Sequence, residues 1–442
     1  MRQIAGVVMT QIVVIADDLS GAADCACAFA KAGLETLVVI DRDAQQQSYN
    51  GAPYVISIDA DTRRLTGTEA ARINLDIFEQ YCFLEQLLYK KIDSTLRGNF
   101  IAELKAIIDR AGLAIVAPAF PQAGRFTRKG HQFLKDTPLE ETDIWQGEGI
   151  TGSAHIPSML ESHGISAASI SVEDIRGGEQ RLHEMFEALA SSGVQAIVCD
   201  AEVDDDLQAI TQASISLSRP RFWVGSAGLA SHLPVAAKMA TKPFEVAPIA
   251  IKGSILTVVG SLSSASRTQA DYLFSASQLE RIDIRASVLR EGQVHPDWPA
   301  LRDRLALLLQ KGRDTLVVIS AEEPVNMAEG LRLCQTLALL VAPLAEHIGA
   351  VISTGGETAR AILSAMGSKG LRMIGEIESG VPISVATGIK PIPVITKAGA
   401  FGSRETLFRC YETLRLARAE SAGDPENISL EITQTTFPRI AS

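Results

Sequence analysis

Cysteine is scarce in this chain: six residues in 442 (Cys25, Cys27, Cys82, Cys199, Cys334 and Cys410), with no CxxC pair. Neither a disulfide framework nor a zinc knuckle is expected. The seven histidines are scattered and none stands in a cysteine or acid context that suggests a metal site. Positive charge is in deficit, 41 Lys and Arg against 52 Asp and Glu for a formal charge of −11. That balance argues against a general nucleic-acid or anionic-membrane surface, because both partners require a positive field. An anionic ligand must then be met by local cations. No run reaches the roughly 18 uninterrupted apolar residues of a membrane helix. The apolar stretch near the N-terminus is broken by Gln11 and leads into Asp17 and Asp18 with no small-residue cleavage site, so no secretory signal is read there. Met9 directly precedes the first strand and is a candidate start. Also missing are the GxxxxGK[ST], HExxH and GxSxG motifs, which removes the P-loop, zincin and hydrolase readings. A cytoplasmic protein is the expectation.

What is present is an ordinary globular composition, 46% hydrophobic and 21% charged, over a length that predicts two or three domains at roughly 150 residues each. Short β-branched runs alternate with segments of helical period. Strands are expected at Ile12–Ala16, Thr36–Ile40, Tyr54–Ile58, Leu87–Ile92, Leu113–Ala117, Ala196–Cys199 and Arg221–Val224. Between the first two, Leu19, Ala22, Ala23, Ala26, Phe29 and Ala30 recur at spacings of three and four, and Gly33 supplies a stop. This βαβ rhythm implies an α/β fold of mostly parallel sheets flanked by helices. Near Thr241–Gly253 the pattern breaks into TKPFEVAPIAIKG, read as an interdomain linker. The alternation then resumes, with strands at Ile255–Val259, Thr315–Ile319, Ala350–Ser353, Ile383–Ala386 and Pro393–Thr396 and helices at Pro324–Val341 and Thr358–Met366. Two domains are expected, residues 1–240 and 254–442, with a cleft between them. Beyond Ala417 the period is lost, and a wrapping or frayed tail is expected.

Ligands of open parallel sheets bind at the carboxyl ends of the strands, which directs the search to the loops there. After the first strand come Asp17 and Asp18, then Ser20 and Gly21. An N-cap explains one of these side chains but not two adjacent charges. After Leu87–Ile92 come Asp93, Ser94 and Thr95. Period two places Lys91 and Asp93 on one face, and Ser94 and Thr95 are expected to begin a helix with unpaired N–H groups. The charged, hydroxyl-rich cluster suits a small polyhydroxylated anion. Arg63 and Arg64 follow another strand and offer a planar grip on a carboxylate, with solvated loop charge as the alternative. Arg125 follows Leu113–Ala117 across a proline-stiffened loop and can face the same crevice. In the second half, Gly260–Ser264, Ser353–Thr358 and Thr396–Ser403 each run from strand to Gly/Ser loop. Glycine admits phosphate oxygens close to the backbone and a following helix N-terminus supplies amide donors. Lys397 adds a cation to the third loop, and a phosphorylated ligand is favoured over ordinary tight turns.

The segments IADDLSGAAD, KKIDSTLRGN, APAFPQAGR, VGSAGLA, VVGSLS, TGGETA and TKAGAFG stand in this order as in the four-carbon acid sugar kinase family, which the chain resembles over essentially its whole length. The resemblance implies an N-terminal sugar-acid-binding domain and a C-terminal ATP-binding domain. It further implies phosphorylation of the terminal hydroxyl of D-threonate, D-erythronate or 3-oxo-tetronate. By motif, Asp17, Asp18, Arg63, Lys91, Ile92, Asp93 and Ser94 fall in the implied substrate site, and Ser261, Gly355, Gly356, Glu357, Thr358 and Gly399 in the implied ATP site. Ser20 stands where the family pattern has Thr, and Glu141–Pro157 departs from the pattern after the TPL segment. The mechanism expected is phosphoryl transfer with ATP and Mg²⁺. Arg63 and Lys91 hold the acid's carboxylate, one of Asp17, Asp18 and Asp93 accepts the hydroxyl proton, and the glycine loops with Lys397 hold the triphosphate. Closure of the two domains is expected to exclude water. A non-catalytic sensor of a sugar acid and a nucleotide is the alternative class, and a homodimer is the base-rate expectation.

Overall fold

A parallel sheet covered by helices on both faces requires strands that are apolar on both faces, and the β-branched runs meet that requirement. All five residues of Ile12–Ala16 are buried, as are all five of Leu113–Ala117. The computed structural model describes residues 10–42, 54–83, 86–239, 251–261, 263–320, 329–399 and 401–423. Met9, residues 241–250 of the expected linker, residues 321–328 of the expected helix Pro324–Val341, and everything after Gly423 lie outside them. The chain divides into two units, residues 1–38 with 49–243 and residues 39–48 with 244–442.

The first unit carries β1 (Ile12–Ala16), β2 (Thr36–Val39), β3 (Val55–Asp59), β4 (Leu87–Lys91), β5 (Leu113–Ala117), β6 (Arg125–Arg128), β7 (His131–Leu134), β8 (Thr137–Pro138), β9 (Ala167–Ile170), β10 (Ala196–Cys199) and β11 (Arg221–Gly225). Its sheet order is β2-β3-β1-β4-β11-β5-β10-β9. Every pairing from β3 to β9 is parallel. Ala16 lies level with Asp59 of β3 and Lys91 of β4, so three strands end together and their loops converge. Helix Leu19–Lys31 packs its Ala, Cys and Phe face on this sheet. It stops at Ala32, followed by Gly33 at φ 81°. Strands β6, β7 and β8 form a separate antiparallel sheet.

The second unit carries β12 (Ser254–Val259), β13 (Glu280–Arg285), β14 (Thr315–Ser320), β15 (Ile348–Thr354), β16 (Gly370–Glu376), β17 (Pro382–Thr387) and β18 (Pro393–Lys397), in the order β13-β14-β12-β15-β18-β17-β16. The five strands from β13 to β18 are parallel, whereas β17 is antiparallel to both β18 and β16. Loops as short as those around β17 allow hairpins and no crossover. The first part of the expected tail is a correction: helix Thr406–Gly423 continues through Ala417, and the rest lies outside the described residues. Ala417 is buried, and Arg418 grips both oxygens of Asp314 at 2.7 Å, so tertiary contacts supply what the lost period does not. No helix among the described residues is long and apolar enough to cross a membrane.

Candidate functional site

In the first unit the chain leaves β1 toward β2 and β3 on one side of the sheet and leaves β4 toward β5 on the other. The β1 and β4 loops therefore part at the carboxyl ends, the place where a doubly wound sheet receives ligands. Asp17 and Asp18 stand on the first of these loops. Asp18 is the N-cap of helix Leu19–Lys31, its Oδ1 accepting from the Gly21 amide at 2.8 Å. Ser20 lies inside the first turn, its hydroxyl buried with no hydrogen-bond partner among the described residues.

Arg63 gathers the acids. Its Nε and Nη2 donate to the two oxygens of Asp17 at 2.7 and 3.0 Å. Its Nη1 lies 2.9 Å from Asp18 Oδ2 and 3.7 Å from Asp93 Oδ2. Arg63, expected to grip a ligand carboxylate, is thus already surrounded by three aspartates. Arg64 is exposed. The Arg63 loop is tied down by Asn99 Nδ2, which donates to the carbonyls of Thr62 and Leu65 at 2.9 and 2.8 Å. Amides of Thr62 and Arg63 donate to the Asp17 carbonyl.

The expected helix at Ser94–Thr95 is a second correction. Asp93 Oδ1 accepts from the Thr95 amide and hydroxyl at 2.8 and 2.9 Å, and this local Asx-type turn outcompetes the helix. The helix starts only at Phe100. Asp93 Oδ2 is held by Arg97 at 2.5 Å. Lys91 Nζ donates to the Ile92 carbonyl at 3.0 Å. The space it shares with Asp18 is tight enough that a Cβ on Gly21 would lie 2.8 Å from each. The Ile92 side chain is core. Ser94 Oγ accepts from Arg125 Nη1 at 3.0 Å and the Ser94 carbonyl accepts from Gln132 Nε2 at 2.8 Å, so the β6–β7 hairpin braces this turn.

Burial works against all three carboxylates, but the neighbours separate them. Arg63 overcomes burial at Asp17 and holds its carboxyl below the usual range. Arg97 and Arg63 hold Asp93 far below it. At Asp18, burial outweighs Arg63 and is reinforced by the charge of Asp17, so its proton affinity is raised. Two residues that pattern reading missed sit beneath. Lys90 Nζ pairs with Glu103 Oε2 at 2.7 Å, both side chains wholly buried, and Thr62 donates its hydroxyl to Glu103. An unbroken polar residue inside an apolar strand, Lys90, is the signal that could have found the pair.

In the second unit β12 and β15 are adjacent and their connections also run opposite ways. Gly355, at φ 93°, takes a conformation suited to glycine, and opens helix Gly356–Ala365, which carries Glu357 and Thr358 in its first turn. Gly260 packs so closely on Thr358 that a Cβ would lie 2.0 Å from its hydroxyl. The Gly399 carbonyl accepts from Ser263 Oγ at 3.0 Å and Ser266 Oγ at 2.6 Å, and Ser261 lies against Gly399. Lys397 is the third correction. Its ammonium does not reach outward but donates to the carbonyls of Ala398, Gly399 and Phe401 at 2.8, 3.1 and 2.8 Å, and burial lowers its pKa to about 8. It shapes the loop by drawing these carbonyls inward.

Residues 12–233 match the family described as "Sugar-binding N-terminal domain" and residues 256–407 the one described as "Nucleotide-binding C-terminal domain". A D-threonate kinase of Cupriavidus necator is 41% identical over 92% of this chain and 99% of its own length. The chain belongs to the four-carbon acid sugar kinase family. A second relative, the D-threonate kinase of Salmonella typhimurium, is 31% identical over 90% of this chain and 96% of that protein. Among solved structures a Haemophilus influenzae protein shares the fold with a TM-score of 0.70 at 19% identity, covering 90% of this chain and 99% of that one. For this family member, the Asp17, Asp18, Asp93 and Arg63 cluster therefore lies within the sugar-binding match, and the Ser261, Gly355 and Gly399 loops within the nucleotide-binding match.

Proposed function

We propose that this chain is an ATP-dependent kinase that phosphorylates the terminal hydroxyl of D-threonate, giving 4-phospho-D-threonate. The observation that carries the reading is the 41% identity running through 99% of a D-threonate kinase, and the chemistry at both sets of strand ends supports it. We assign residues 1–240 to the acid and 254–442 to the nucleotide. Phosphoryl transfer depends chiefly on positioning and charge neutralisation. Asp18, the one of the three site aspartates whose proton affinity is raised, accepts the hydroxyl proton. Asp17 and Asp93, held ionised, fix Arg63 and the β4 turn. Lys91 has donors to offer substrate oxygens.

Among the described residues no group of three or more His, Cys, Asp or Glu is placed to hold a metal ion. Mg²⁺ is commonly held by one or two carboxylates and the substrate phosphates; Glu357 is the carboxylate on the glycine loops that would hold it. When bound, Mg²⁺ neutralises charge on the phosphates.

Purified enzyme given ATP, Mg²⁺ and each of D-threonate, D-erythronate and 3-oxo-tetronate should release ADP with the highest kcat/KM for D-threonate. Binding of acid and nucleotide without turnover would instead identify a sensor. The nucleotide assignment has its own check. A Cβ on Gly399 would stand 2.2 Å from Ser261 Oγ, so Gly399→Ala must displace one loop from the other. The KM for ATP should rise on the order of 10- to 100-fold, as misplacement by an ångström can do, with the KM for D-threonate unchanged. An unchanged ATP KM removes these loops from the nucleotide site.

A further inference from the structure

Four cations enter the sugar-acid site: Arg63, Lys91, Arg97 and Arg125. Lys91 spends a donor on the Ile92 carbonyl at 3.0 Å and offers no planar edge, and two of the arginines are matched by acids. Arg63 is surrounded by Asp17, Asp18 and Asp93, and Arg97 is held by Asp93 at 2.5 Å and faces Glu148 at 3.6 Å. A ligand carboxylate could reach either guanidinium only by displacing a carboxylate of the protein. Arg125 differs. Among the described residues its one hydrogen-bond partner is the Ser94 hydroxyl, reached by Nη1 at 3.0 Å, and its Nε is buried with no acceptor.

The geometry of the guanidinium makes this asymmetry informative. Nε–H and Nη2–H lie along one edge, spaced to meet the two oxygens of a carboxylate. Arg63 takes Asp17 by that same edge. In Arg125 the Ser94 contact uses Nη1, which leaves the Nε/Nη2 edge without an acceptor among the described residues. The side chain is also held in place, because Gln132 fixes the Ser94 carbonyl and Thr127 in turn donates to Gln132 Oε1 at 2.7 Å. Burial and the like charge of Arg97 work against the Arg125 cation, and Asp93 and Asp24 offset them only in part. An arriving anion would supply the missing compensation, since buried charges are stable when paired and hydrogen-bonded.

We propose that Arg125, and not Arg63, receives the carboxylate of the sugar acid through its Nε/Nη2 edge, while Arg63 acts as the positioning residue for the three aspartates. This rests on the sugar-acid kinase reading. It divides a pocket that resemblance alone treats as one group into a carboxylate end at Arg125 and Ser94 and a reacting end at Asp18.

The test compares D-threonate with threitol of the same configuration, in which an uncharged CH₂OH replaces the carboxylate. Arg125→Gln should raise the KM for D-threonate about 100-fold, the scale of losing a charge-assisted pair of hydrogen bonds. The KM values for threitol and ATP should stay within about twofold, so the preference for acid over polyol collapses. Arg125→Lys retains the charge and loses the planar edge; it should recover part of the preference and leave a KM for D-threonate about tenfold above wild type. If Arg125→Gln fails to fold, Arg125→Lys decides by the same comparison. A variant that keeps the wild-type preference, or loses acid and polyol turnover equally, overturns the proposal. Wild-type enzyme inactive on every four-carbon acid overturns the kinase reading instead. Calorimetric titration of D-threonate then judges Arg125 separately: weaker binding to Arg125→Gln upholds its role, and equal binding removes it.

Discussion

Asp18→Asn is expected to lower kcat by about 10²- to 10⁴-fold, the contribution of a positioned general base, with the KM values for acid and nucleotide much less affected. Asparagine caps a helix as well as aspartate does, so helix Leu19–Lys31 should keep its start and the loss should report chemistry rather than folding. The pH profile gives the argument a sign. Asp18 must be ionised to accept a proton, and burial, with help from Asp17 and against Arg63, raises its proton affinity. Activity should therefore fall as pH drops through a value above the ordinary aspartate range. Asp17→Asn deletes the neighbouring like charge and releases Arg63 toward Asp18. Both changes lower the Asp18 pKa, so the acid limb should move to lower pH. A limb that stays in place or rises, or an Asp18→Asn enzyme with undiminished kcat, assigns the base elsewhere.

Lys90→Met should cost about 3–5 kcal/mol of stability, the penalty for leaving one member of a buried ion pair uncompensated. The ammonium lies 2.7 Å from Glu103 Oε2 and both side chains are fully buried. Methionine fills similar volume but leaves the Glu103 carboxylate in an apolar interior with only the Thr62 hydroxyl. Lys90→Met/Glu103→Leu should regain most of that loss, because well-packed apolar residues can replace a buried pair at little cost. Thermal unfolding of the single and double variants measures both. If the single variant is as stable as wild type, the pair is not the energetic anchor proposed. The recovered double variant should still turn over slowly. Thr62 loses its side-chain acceptor in it, and the adjacent Arg63 is what places the aspartates.

Runs such as LAIVA and TLVVIS were legible as strands because a strand buried on both faces must be apolar throughout. The strands that escaped notice are β6, β7, β8, β9, β13 and β16. Several are edges or half-exposed, and ERIDIR alternates buried with exposed residues, so their composition reads as loop. The site was legible to a similar depth. Searching the carboxyl ends of parallel strands led to Asp17, Asp18, Arg63, Asp93, Ser94 and Arg125, all of which the first unit brings together. It led equally to Ser261, Gly355, Thr358 and Gly399 in the second. Gln132, Asn99 and Glu103 were not found, because each acts on a site loop from another element and leaves no local signature.

The order of residues along the chain determined which chemical groups are present and that each cluster lies at a strand end, since strand period and loop position are local properties. Partnership was decided only by the tertiary structure. Parallel register sets Ala16 level with Asp59 and Lys91, and this brings the loop carrying Arg63 to Asp17, 46 residues away. Lys397 turned to carbonyls and the Nε of Arg125 was left without an acceptor for the same reason. In a poorly solvated interior a charge is governed by whatever lies within a few ångströms, and that neighbourhood is assembled by strands and loops distant in sequence.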